Sequence, residues 1–180
     1  MMTIPFRLST SYWTYFFYGG ISMPWWPVWL SSRGLSEVEI ADLLAFERLV
    51  IVAASLVVAH YADRTGHRRR ILLLFAAGMT IGYAMFGLAA AYWHFFAVAA
   101  FTAVCRSPLI PLSDSITMAH VRKGDAEYGK VRLWGTISFI IGSYLGGVIL
   151  EGRVDEMILW AIVVSCGFAV FGFFLLPDTR

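Results

Sequence analysis

The strongest constraint on this chain is a series of six apolar stretches, at about 10–30, 38–60, 71–92, 94–118, 131–150 and 155–176. Each is about twenty residues long, the length a helix needs to cross the hydrocarbon core of a bilayer. Among its 180 residues 59% are hydrophobic and only 14% are charged, against roughly 25% charged in soluble domains. The mean hydropathy is +0.70. That composition disfavours a soluble enzyme, a disordered chain and a nucleic-acid binder. Backbone in hydrocarbon has no water to bond, so it must satisfy itself within the span. Helix-length runs without strand alternation argue for helices over a β-barrel. The expectation is an all-α membrane protein, one six-span domain over residues 1–180. The first run carries one nearby positive charge, Arg7, and ends in Pro24-Trp25-Trp26-Pro27 where a cleavage site would need small residues. It is therefore read as a span and not as a leader. Cys105 and Cys166 lie inside apolar runs, and no disulfide framework is expected.

The connections are short, and ten of the fourteen Lys and Arg residues fall on one side: Arg7, Arg64, Arg68, Arg69, Arg70, Arg122, Lys123, Lys130, Arg132 and Arg180. Arg33 and Arg153 fall on the other, and Arg48 and Arg106 lie within spans. Positive loops stay in the cytoplasm, which puts both termini there. Trp25, Trp26, Trp29, Tyr92 and Trp93 then form an aromatic belt at the outer interface. Ser36-Glu37-Val38-Glu39 has the form of a capping box opening the second span.

Spans one to three and four to six compare as two repeats of inverted orientation. The first span of each carries Pro-x-x-Pro in its later half, Pro24 and Pro27 in one and Pro108 and Pro111 in the other. Proline removes a backbone donor and kinks a helix. Interrupted helices at matching positions of inverted repeats point to a transporter's binding region.

The loop after span two reads Ala59-His60-Tyr61-Ala62-Asp63-Arg64-Thr65-Gly66-His67-Arg68-Arg69-Arg70. It resembles the signature loop of the major facilitator superfamily, G-x-x-x-D-[RK]-x-G-[RK]-[RK], with Asp63, Arg64, Gly66 and Arg68 in register. Ala59 stands for the first glycine and His67 for a basic residue. The resemblance implies that these four residues take part in gating; the arginines are expected to anchor to anionic headgroups. A second stretch, Pro108-Leu109-Ile110-Pro111-Leu112-Ser113-Asp114 followed by Tyr128-Gly129-Lys130-Val131-Arg132-Leu133-Trp134-Gly135, is similar to the phenylpropionate permease branch, near the proton-coupled nucleoside and sugar symporters. Members of the superfamily have twelve spans, so this chain resembles an N-terminal half. Its expected partners are a C-terminal six-helix half or a second copy, the lipid bilayer, protons and a small organic solute. The implied activity is secondary transport by rocking of two halves in a bacterial inner membrane, with an aromatic acid such as phenylpropionate, a nucleoside or a sugar as substrate.

Charges within spans are costly and mark functional positions. Glu47, Arg48, Arg106 and Asp114 qualify. With a rise of 1.5 Å per residue, Glu47 and Arg48 lie about 14–15 Å in from the outer end, Arg106 about 18 Å and Asp114 about 30 Å. Depth therefore pairs Glu47 with Arg106 and separates Arg106 from Asp114. Carboxylates among apolar groups take protons more readily than in water, and arginine binds a carboxylate with two parallel bonds. These residues are the candidates for proton coupling and binding, with Asp114 expected as a cytoplasmic gate or proton-release site. Tyr15 and Tyr18, three apart on the first span, are candidates for stacking on a substrate ring. In span five Gly142 and Gly146 form a G-x-x-x-G pattern that permits close helix contact. No G-x-S-G nucleophile turn and no TVGYG filter occurs in the sequence. Neither an enzyme nor a cofactor is expected, and no metal site is expected from His60, His67 and His120. The alternative is a six-span scaffold or sensor that no longer transports.

Overall fold

A computed structural model describes residues 3–65, 67–152 and 155–177, with the side chains at 59, 61–63, 65 and 155 outside the description. All secondary structure among these residues is helical: α1 (Ile4–Ser32), α2 (Glu37–Thr65), α3 (Arg68–Phe86), α4 (Tyr92–Arg106), α5 (Leu109–Arg122), α6 (Tyr128–Leu150) and α7 (Asp155–Phe174). By length and composition α3, the α4–α5 pair, α6 and α7 can each cross a membrane. Helices α1 and α2 are longer, 29 residues each. Tyr, Trp and Ser dilute the hydropathy of α1, and five charges from Glu37 to Arg48 dilute that of α2.

The turns follow local chemistry. Helix α1 closes in a Schellman motif: Gly34 has φ +87°, its N–H bonds to Ser31 O at 2.9 Å, and Leu35 N–H bonds to Leu30 O at 3.4 Å. Glycine occupies this left-handed position without a Cβ clash. The capping box then opens α2, with Ser36 N–H donating to Glu39 Oε2 at 2.8 Å and Glu39 N–H to Ser36 Oγ at 3.4 Å. Helix α3 stops six residues before the expected 92. Leu88 and Ala89 N–H turn back to Met85 O and Phe86 O at 3.0 and 3.1 Å. Because Leu88–Ala91 is as apolar as a span, hydropathy alone does not register this stop.

The two proline pairs behave differently. Helix α1 is continuous through Pro24 and Pro27, which corrects the expectation of an interruption there. Pro24 denies the Gly20 carbonyl its helical donor, and Ser143 Oγ of α6 supplies one at 3.1 Å. The fourth span does break, between Arg106 and Leu109. Pro108 leaves the Val104 carbonyl without a donor, and Ser107 Oγ fills it from within the turn at 2.8 Å. Pro111 sits inside α5.

Helix α1 is the axis of the bundle, packed along α6 and α7; α3 lies against α7 and α4, and α2 against α4. The α1–α6 seam is backbone on backbone. A Cβ on Gly142 would lie 2.6 Å from the Phe17 carbonyl oxygen, and one on Gly20 would lie 2.9 Å from Ser143 N. Buried hydroxyls are satisfied inside their own helices, Thr117 on Ser113 O and Ser138 on Gly135 O, both at 2.8 Å. Outward faces are apolar, with Leu56, Val57 and Tyr144 each at least 70% exposed.

Candidate functional site

Glu47, near the middle of α2, is 4% exposed. Arg106 ends α4, where a cation faces the partial negative charge of the last carbonyls. Their side chains meet with Nη2 to Oε2 at 3.2 Å. The structure thus brings together the two residues that depth alone matches. Two charges this far from water hold each other: removing one partner of a buried pair typically costs about 3–5 kcal/mol.

The pair is held by Tyr83, which sequence reading missed, and behind it by Tyr18, which it anticipated. Arg106 Nη1 donates to Tyr83 Oη at 3.3 Å, and the Tyr83 and Tyr18 hydroxyls share a hydrogen bond at 2.8 Å. Both tyrosines are buried. Trp26 meets Tyr83 edge to face, with centroids 5.2 Å apart, and stacks on Trp29 at 5.1 Å. Tyr15 packs on Tyr18 at 5.8 Å and on Phe173 at 5.9 Å. The anticipated Tyr15 and Tyr18 are therefore beside the pair, Tyr18 in its hydrogen-bond chain and Tyr15 as its packing. Tyr83 gave no signal in the sequence, because an aromatic in an apolar run reads as core. Arg48 is exposed and stays out of this cluster, since successive helical residues point about 100° apart.

Asp114 forms a second cluster about 12 Å along the same span. Its Oδ1 accepts from Tyr12 Oη, from Tyr128 Oη at 3.2 Å and from Arg132 Nη1 at 3.4 Å. The Arg132 guanidinium lies over the rings of Tyr12 and Phe16, at 5.8 and 5.1 Å. Arg132, counted with the loop charges from sequence, turns inward here. Tyr128 and Arg132 are four apart and so share a helix face, a spacing that could have identified them. Tyr12, Tyr15 and Tyr18 recur every third residue on α1, the outer two bonded to the two clusters.

In the signature loop, Arg64 lies in the last turn of α2 and is exposed. Arg68 opens α3 half-buried. The Asp63 side chain and Gly66 lie outside the described residues. Arg69 reaches the end of α7: its Nη2 donates to Phe174 O, and its guanidinium lies 5.4 Å from the Phe174 ring centre. Arg7 adds Nε to Leu175 O at 2.6 Å and Nη2 to Leu176 O at 3.2 Å. Two arginines thereby cap the closing carbonyls of α7. Among the described residues no three His, Cys, Asp or Glu side chains converge as metal ligands. Cys105 and Cys166 are buried free thiols.

An all-helical bundle with span-length apolar helices and a charged pair buried between them defines a multi-pass membrane protein. The sequence matches the MFS_1 like family over residues 6–178, and the chain belongs to that family of major facilitator transporters. It is 32% identical over 177 residues to "Probable 3-phenylpropionic acid transporter" of Escherichia coli (strain K12), covering 96% of this chain and 46% of that protein. It is 29% identical over 155 residues to "Maltose permease" of Geobacillus stearothermophilus, covering 84% and 38%. The chain spans about half the length of the curated relatives it matches. No solved structure matches it.

Proposed function

We propose that this chain is the N-terminal six-span half of a proton-coupled carrier for a small organic solute, and that Glu47 and Arg106 are its coupling pair. The supporting observation is their salt bridge at 3.2 Å, buried at the middle of the bundle. With Glu47 ionised the pair is neutral and Arg106 is engaged. Protonation of Glu47 releases the guanidinium, whose N–H fork then takes an anionic group of the solute. Loss of the proton on the other side restores the pair and expels the solute. One proton and one monoanion therefore move together, because the cation freed by protonation is neutralised only when the solute binds. Tyr15, Tyr18, Tyr83 and Trp26 form aromatic walls beside Arg106, which favours an aromatic acid such as phenylpropionate over a nucleoside or sugar. The E. coli relative, named for 3-phenylpropionic acid, supports the same order.

Asp114 and Arg132 form the cytoplasmic gate of this scheme, and Asp63, Arg64, Gly66 and Arg68 its gating loop. Spans one to three and four to six form a 3+3 inverted repeat. Both termini lie in the cytoplasm of a bacterial inner membrane. A second six-helix half, or a second copy, closes the path, and the halves rock about the midplane.

The test is radiolabelled phenylpropionate uptake and equilibrium exchange in cells carrying the whole transporter. Glu47→Gln abolishes gradient-driven uptake while exchange persists, because a permanently neutral side chain leaves Arg106 free but cannot release a proton. Arg106→Met abolishes both. Full gradient-driven uptake in Glu47→Gln overturns the coupling role. Restoration of wild-type uptake in the Glu47→Arg/Arg106→Glu double variant would make the pair a static lock.

A further inference from the structure

At the end of the bundle opposite the arginine-rich loop, the closing turn of α1, the end of α3 and the first turns of α7 enclose a recess of about 360 Å³. Arg33 and Glu156 both line it, with walls of Leu88, Leu159 and Trp160. The Arg33 guanidinium rests 5.0 Å over the Trp29 ring. Among the described residues it has no carboxylate partner, and Glu156 has no cationic one. Opposite charges thus share one recess without meeting, and the gap between them suits a ligand carrying both signs. The recess opens toward apolar surroundings: Leu88 is 84% exposed and Trp160 61%, positions that a soluble zwitterion would leave against water. At Gly87 the floor of the recess is tightly packed, since a Cβ there would come within 3.2 Å of Leu159 Cδ2.

We propose that this recess binds a zwitterionic phospholipid with a primary ammonium headgroup. The phosphate sits on Arg33, whose fork matches phosphate geometry, and the ammonium donates to Glu156. The acyl chains lie along the outward faces of α3 and α7, and Trp160 sits at headgroup depth as interfacial aromatics do. Neither charge belongs to the Glu47 or Asp114 cluster, so the site stands apart from the transport path.

The whole transporter in detergent micelles, titrated with phosphatidylethanolamine, phosphatidylcholine and phosphatidylglycerol of matched acyl chains, gives the test, with retained lipid read by native mass spectrometry. Phosphatidylethanolamine is retained on the order of fivefold more than the other two, because one lacks N–H donors and the other lacks the cation. Glu156→Gln removes that preference, Glu156→Lys turns it toward phosphatidylglycerol, and Arg33→Gln lowers retention of all three. Equal retention by the unaltered chain, or an unchanged preference in both Glu156 variants, overturns the site. Full displacement of the lipid by glycerophosphoethanolamine overturns the lipid as occupant, since the headgroup alone would then suffice.

Discussion

Tyr83 is the residue on which the central cluster turns. Its hydroxyl accepts from Arg106 and shares a hydrogen bond with Tyr18, so it fixes where the guanidinium points once Glu47 is neutral. Tyr83→Phe keeps the ring contacts with Trp26 and Phe86 and removes only the oxygen. The expected cost to stability is about 1 kcal/mol, read as a small drop in melting temperature in detergent. The KM for solute is expected to rise while the maximal rate holds. A fall in maximal rate with KM unchanged would assign Tyr83 to packing. At Asp114 three donors converge on one oxygen, so Asp114→Asn leaves Arg132 without its countercharge. Because both side chains are partly exposed, water compensates in part, and the variant should fold. Inward release of solute, followed as efflux from preloaded vesicles, should slow; unchanged efflux would remove Asp114 from the gate.

At the scale of the element, helix identity follows from run length, while continuity depends on what replaces each missing backbone donor. Pro24 and Pro108 create the same deficit four residues upstream. At Pro24 a neighbouring helix supplies the hydroxyl, and α1 runs on. At Pro108 the hydroxyl comes from the adjacent residue in the chain, and the span divides into α4 and α5. Ser143 sits beside Gly142, which brings α6 onto the α1 backbone. Gly142→Leu places a branched side chain where the Phe17 carbonyl already is. The expected loss is about 1–3 kcal/mol, seen as earlier thermal aggregation, whereas Gly147→Leu, with open space around its position, should be near neutral. Equal losses at the two positions would contradict the seam described between α1 and α6.

For the whole molecule, charge distribution sets the proposed orientation and helix packing sets what is accessible. Ser32 and Glu151 lie at one end of the bundle and Lys123 at the other, and all three are exposed. Cysteine at 32 or 151 should react with an impermeant maleimide added outside intact cells. Cysteine at 123 should react only after permeabilisation. The native thiols Cys105 and Cys166 are buried and give little background. Labelling at 123 in intact cells would invert the proposed topology. Arg7 and Arg69 tie the start of α1 and the start of α3 to the end of α7, so three helix ends on one side are held together by backbone acceptors.

The lengths of the apolar runs and the bunched charges were enough to determine that this chain is a helical membrane protein, because hydrocarbon leaves the backbone almost no other choice. The signature loop and the stretches Pro108–Asp114 and Tyr128–Gly135 carried the family resemblance. Depth along straight helices, a one-dimensional quantity, was enough to match Glu47 with Arg106. Direction around the helix and contact between helices are not one-dimensional, and tertiary structure decided those. It turned Arg48 outward, drew Arg132 from the loop charges onto Asp114, and set Tyr83 beneath Arg106. It also kept α1 whole through two prolines and placed Arg69 on α7. Each of these depends on a partner far away in sequence, and a partner of that kind exists only once the helices have packed.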